Sequence, residues 1–138
     1  MAGALSIRRG RPEDIGHVLE LWARAGASPT LTDTPEVLAQ LLESTQSVLL
    51  LAEIDGGLAG TVIGGWDGWR GNIYRLAVVP EYRHRGVASA LMREVDAALA
   101  AMGARRITAL VERDHAWAVG FGGMILRFGE SSAPQLKG

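Results

Sequence analysis

Residues 80–92 read PEYRHRGVASALM, and the chemistry they suggest centres on Arg83, His84, Arg85, Gly86, Val87 and Ala88. Three basic residues and a glycine stand directly before an apolar run with helical spacing. The first N–H groups of a helix have no partner within it and carry partial positive charge. A succession of them in a turn forms an anion-binding nest. Gly86 and Ala88 are small enough for a pyrophosphate to approach the backbone, and Arg83 and Arg85 add charge on the rim. The same residues also fit a plain helix start with solvated arginines. The competing phosphate motifs are missing: there is no GxxxxGK[ST] and no GxGxxG after a strand.

Other chemistries find little support. The 138 residues contain no cysteine, which removes disulfides, thiolate metal sites and a cysteine nucleophile, and favours a reducing, cytoplasmic location. His17, His84 and His115 show no metal-ligand spacing with carboxylates, so no metal is expected. The formal net charge of −1 gives no general attraction to nucleic acid or to an anionic membrane. Apolar runs such as VLLLA are too short to span a bilayer, and charge within the first ten residues argues against a signal peptide.

The elements that must position the basic turn follow from periodicity. Residues 5–10 read as a short strand. Pro12 opens a helix whose apolar positions Ile15, Val18, Leu19, Trp22 and Ala25 recur at helical spacing, with Gly26 as its stop. Thr34-Pro35 begins a second, short helix carrying Val37, Leu38, Leu41 and Leu42. QSVLLLAEI and LAGTVIGGW flank Asp55-Gly56-Gly57 and read as a β-hairpin. A loop over 66–71 leads to a strand over 72–80. From Gly86 to Met102 the period is helical again, with Val87, Leu91, Val95, Leu99 and Met102 on one stripe. Residues 105–112 are a strand, RDHAWAVGF one or two helical turns, 124–128 a last short strand, and a Gly/Ser-rich tail runs from Gly129. The fold class is α/β (α+β): one domain with a mixed, mostly antiparallel sheet, a β-α-β crossover after residue 72, and helices on both faces.

With these elements in place, RLAVVPEYRHRGVASALMREVDAAL resembles the acetyl-CoA-binding core of the GNAT superfamily of N-acetyltransferases. The family pattern Arg/Gln-x-x-Gly-x-Gly/Ala matches Arg83-His84-Arg85-Gly86-Val87-Ala88, preceded by the typical LAV-x-P. The element order from residue 5 to about 121 fits as well, and GWDGWRGNIYRLAV looks like a subgroup of small bacterial acetyltransferases.

The resemblance implies that acetyl-CoA is the donor and a primary amine of a small molecule or peptide the acceptor. Backbone groups of Leu76, Ala77 and Val78 would meet the pantetheine arm, and the backbone from Arg83 to Ala88 the pyrophosphate. A backbone N–H near Leu76 or Ala77 would polarise the thioester carbonyl. Asp67, Tyr74 and Glu112, with Glu53 as a further rival, are the groups that could meet or deprotonate the amine. Trp66 and Trp69 flank Asp67 and either line the acceptor pocket or pack under a loop. The family's Asn falls on Asp114, grouped here with the cofactor-binding residues, and its later Tyr falls on Phe121 or Gly122, neither with a hydroxyl. Loss of that acid slows turnover, or leaves a non-catalytic acyl-CoA-binding regulatory protein. The single strand expected after the last helix leaves an exposed sheet edge, which pairing in a homodimer would cover.

Overall fold

The computed structural model describes residues 4–27, 30–110 and 125–130. The strands are β1 (Leu5–Arg9), β2 (Ser47–Ile54), β3 (Gly57–Trp66), β4 (Gly71–Val78), β5 (Arg106–Leu110) and β6 (Ile125–Glu130); the helices are α1 (Ile15–Arg24), α2 (Pro35–Glu43) and α3 (Val87–Met102). The strands form one sheet in the order β1-β2-β3-β4-β5-β6. Every neighbouring pair is antiparallel except β4 and β5, which the α3 crossover makes parallel. The expected mixed sheet is therefore present. The expected helical turns near 113–121, and with them Glu112, Asp114 and Phe121, lie outside the described residues.

Alternation along the strands sends side chains to two cores. Val48, Leu50, Ala52, Val62, Ile73 and Val78 join the stripe Val87, Leu91, Val95 and Leu99 of α3 on one face. Leu49, Leu51, Ile63, Ala77 and Val79 join Val18, Leu21 and Trp22 of α1 and Leu38 of α2 on the other. The α2 start is as read, the Thr34 hydroxyl accepting from Val37 N–H at 3.2 Å, whereas Pro12 opens a short 3-10 turn and α1 itself begins three residues later at Ile15.

Two glycines in β3 let α3 sit close to the sheet. A Cβ on Gly64 would lie 2.6 Å from Val95 Cγ2, and one on Gly60 would lie 2.9 Å from the Ala77 carbonyl and 3.1 Å from Val87 and Leu91. Gly60 and Gly64 thus mark a close helix approach within a continuous strand.

Candidate functional site

The site forms where β4 leaves its neighbour. β4 pairs with β3 from Gly71 to Val78. With β5 it pairs only through Gly71, Asn72 and Ile73. From Tyr74 onward, the β5-side edge of β4 has no strand partner among the described residues. The register with β3 also slips here: Thr61 faces Ala77 while Ile63 faces Tyr74, so Val62 stands opposite both Arg75 and Leu76. This bulge puts Arg75 at φ 53°. Tyr74 and Arg75 both point towards α1 and α2, whereas strict alternation would have separated them.

Buried polar contacts hold the bulge. Trp22 Nε1–H donates to Thr61 Oγ1 at 2.8 Å, and the Thr61 hydroxyl donates to the Arg75 carbonyl at 3.2 Å. The Arg75 guanidinium lies 5.1 Å from the centre of the Trp22 ring and forms an ion pair with Asp33. Asp33 also accepts from the Thr30 N–H at 3.0 Å. A left-handed conformation costs a non-glycine residue about 1–2 kcal/mol, and these contacts over-determine Arg75.

Past Val78 the chain makes a 3-10 turn over Pro80–Tyr82 and then reaches the basic segment. His84 has φ 65° and Gly86 φ 83°. The first helical bond of α3 runs from Ala90 N–H to Gly86 O at 3.0 Å, so the N–H groups of Val87, Ala88 and Ser89 precede the ladder. A Cβ on Gly86 would meet nothing within 4 Å, so the space above the turn is open and the positive φ is what selects glycine. Arg85 stands over the Tyr82 ring at 5.6 Å.

Of the two arginines expected on the rim, Arg83 also serves the fold. Its Nε–H donates to Val78 O at 2.9 Å and its Nη2 to Ala25 O at 2.8 Å. Burial lowers its pKa. It ties the end of β4 to the end of α1.

On the α1/α2 side of β4 lies a cavity of about 550 Å³. Its wall includes Trp22, Val37, Leu38, Leu41, Ile63 and Tyr74, with Asp33 and Arg75 to one side. Tyr74 is half exposed, and its ring lies 3.5 Å from the Cβ position of Gly65. Leu76, Ala77 and Val78 continue β4 directly from this wall.

The other expected residues fall elsewhere. Asp67 sits in the β3–β4 turn, where Oδ1 accepts from the N–H groups of Arg70 at 2.7 Å and Trp69 at 2.8 Å. Those bonds, Arg70's first, lower its pKa. The turn lies at the Gly71 end of β4, about 20 Å of strand from Val78. Asp67 is thus held by two backbone N–H groups as a turn-forming carboxylate at the Gly71 end of β4. Trp66 packs near Gly103 and against the α3 core, and Trp69 is exposed beneath Arg70; neither lines the cavity. Glu53 is held by Arg8 at 3.0 Å on β2. Among the described residues no three His, Asp or Glu side chains gather to hold a metal. No described helix is long and apolar enough to cross a membrane.

The Asp33–Arg75 pair escapes sequence reading. A bulge residue with positive φ is usually sought at a glycine, and Arg75 has 41 residues between it and Asp33. The β-branched Thr61 inside an apolar strand is the one local hint.

The decisive comparison is with family models: residues 15–122 match the acetyltransferase (GNAT) family. The chain belongs to that family. Solved GNAT-fold structures agree. The PaiA N-acetyltransferase from Thermoplasma acidophilum, in complex with coenzyme A, is 21% identical over 86% of this chain and 85% of its own, with a TM-score of 0.70. A GNAT family acetyltransferase from Brucella melitensis in complex with acetyl-CoA is 22% identical over 97% and 92%, with a TM-score of 0.68. Ard1 from Thermoplasma volcanium is 21% identical over 86% and 79%, with a TM-score of 0.73. At these identities the likeness shows the shared fold, while family membership rests on the matched residues.

Proposed function

We propose that this GNAT domain is an N-acetyltransferase that takes acetyl from acetyl-CoA and passes it directly to a primary amine. The observation that carries the reading is the β4 edge released beyond Ile73, leading straight into the open turn at Gly86. That arrangement fits the donor. Leu76, Ala77 and Val78 offer backbone groups to an amide-bearing arm, and residues 84–88 offer N–H groups to a pyrophosphate beside the Arg85 charge. Neighbours of the same fold, among them the PaiA and Brucella melitensis proteins, carry coenzyme A or acetyl-CoA. The thioester supplies an activated acyl group. With no cysteine in the chain, transfer through an acyl-cysteine is excluded.

The chain's own contribution is positioning and desolvation. The cavity beside Tyr74 and Arg75 orients the amine against β4. Its apolar wall disfavours the ammonium form and so favours the nucleophilic free amine. Tyr74 is the acceptor-side contact in this reading. Phe121 and Gly122, at the place of the family tyrosine, favour a second reading: a protein that binds acyl-CoA and turns it over slowly or not at all.

Thiol release from acetyl-CoA across a panel of primary amines separates the two. Turnover with any amine, reduced about tenfold or more in Tyr74→Ala, is the expected result. Binding of coenzyme A without turnover selects the second reading, and no binding at saturating coenzyme A overturns both.

A further inference from the structure

The acceptor cavity carries information about what kind of amine it takes. Trp22, Val37, Leu38, Leu41 and Ile63 make its wall apolar. The charged groups lining it, among the described residues, are Asp33 and Arg75, and they are paired with each other. The carboxylate is further committed to Thr30 N–H, and each side chain is only 14% exposed. The Thr30 and Thr32 hydroxyls, 3.1 Å apart, bond to one another. No described carboxylate therefore remains in the wall to receive an ammonium.

A polycation entering this space would set a second ammonium against a wall whose described residues offer it no unpaired counter-charge, which is penalised. A peptide would bring backbone N–H and C=O groups that find few partners there. A volume of about 550 Å³ suits one compact organic body. Resting on the transferase reading above, we infer that the acceptor is a compact apolar monoamine, an arylalkyl or branched alkyl amine. Its hydrocarbon fills the Trp22–Leu38–Ile63 wall, and its single nitrogen faces β4 at Tyr74 and Leu76.

The inference predicts a substrate ranking and a way to reverse it. Thiol release is measured with 2-phenylethylamine, 3-methylbutylamine, spermidine, kanamycin and an alanine-initiated tetrapeptide. The apolar monoamines are expected to exceed the other three in kcat/KM by about tenfold or more, the scale on which a hydrophobic pocket discriminates. Val37 lies in the first turn of α2, where an acidic residue is compatible with the helix. Val37→Asp places an unpaired carboxylate in the wall. It is expected to lower kcat/KM for 2-phenylethylamine about tenfold and raise it for spermidine, with coenzyme A affinity unchanged. Preferred turnover of spermidine, kanamycin or the peptide by the natural chain overturns the inference and leaves the transferase reading standing. So does an unchanged ranking in a folded Val37→Asp protein. Coenzyme A binding with no turnover of any amine overturns both.

Discussion

At the scale of single residues, position in the backbone decides what a side chain can do. Gly86 was legible as part of a phosphate motif, but the reason for glycine lies in its φ of 83°. Gly86→Ala is expected to destabilise the fold by about 1–2 kcal/mol through the left-handed conformation, and to weaken coenzyme A about tenfold as the turn shifts to relieve it. Calorimetric titration beside a denaturant melt checks both; unchanged affinity would show that the turn is not the phosphate site. Asp14 makes a different point. It accepts from Arg8 at 2.8 and 2.9 Å and from Arg11 N–H at 2.7 Å. The Arg8 bonds, ahead of the Arg11 bond, lower its pKa to about 2 from an ordinary 3.8. Since the folded-state value is the lower one, this carboxylate's stabilisation is complete above about pH 4 and is lost as pH falls through about 2. Asp14→Asn should therefore lower stability at neutral pH by about 2 kcal/mol and flatten the acid limb between those values. Parallel melts at pH 7, 4 and 2.5 test it, and a constant difference at all three would refute the assignment. Neither strand nor helix periodicity announces this pair, because Arg8 lies on β1 and Asp14 in the 3-10 turn that follows it, where the chain reverses direction.

At the scale of elements, the sequence was informative wherever one period ruled a segment. The α3 stripe, the Asp55-Gly56 hairpin and the Thr34 cap appear in the structure with shifts of a residue or two: α3 begins at Val87 with Gly86 as its N-cap, and β6 runs on through Glu130 into the stretch read as tail. The bulge in β4 was not legible. YRLAV alternates no differently from a regular strand, and the extra residue is fixed by Trp22, Thr61 and Asp33 from three other segments. The glycines of β3 were visible but unexplained until α3 was placed over them. Gly64→Val should be among the more damaging substitutions, since its Cβ alone would lie 2.6 Å from Val95 and 3.3 Å from Leu99. Overpacking of this kind costs about 1–3 kcal/mol. A compensating Val95→Ala in the same chain should recover part of that loss. Chemical denaturation of the single and double variants measures the coupling, and simple additivity would mean that α3 does not rest on Gly64.

At the scale of the whole molecule, the turn proposed for the donor and the cavity proposed for the acceptor are linked through the Arg83 side chain. Arg83 belongs to the turn before α3 yet bonds the carbonyls of Val78 on β4 and Ala25 at the end of α1. Ala25 leads into the segment bearing Thr30, Thr32 and Asp33, which lines one side of the cavity proposed for the acceptor. The parallel link between Arg24 and Glu81, at 2.5 Å, has both side chains more than half exposed and contributes little. Tightening the turn around a bound pyrophosphate should therefore be felt at residues 30–33 through Arg83. Coenzyme A is expected to slow amide exchange both at Leu76–Val78 and at residues 30–33 in the natural chain. Arg83→Met keeps the apolar stem but removes the hydrogen bonds to Val78 and Ala25. It should weaken coenzyme A, raise the KM for the amine, and abolish the protection at 30–33 while protection at Leu76–Val78 persists at saturating ligand. Arg24→Ala should leave all three nearly unchanged. Protection at 30–33 that survives in Arg83→Met, or is absent from the natural chain, would show that the two regions bind independently.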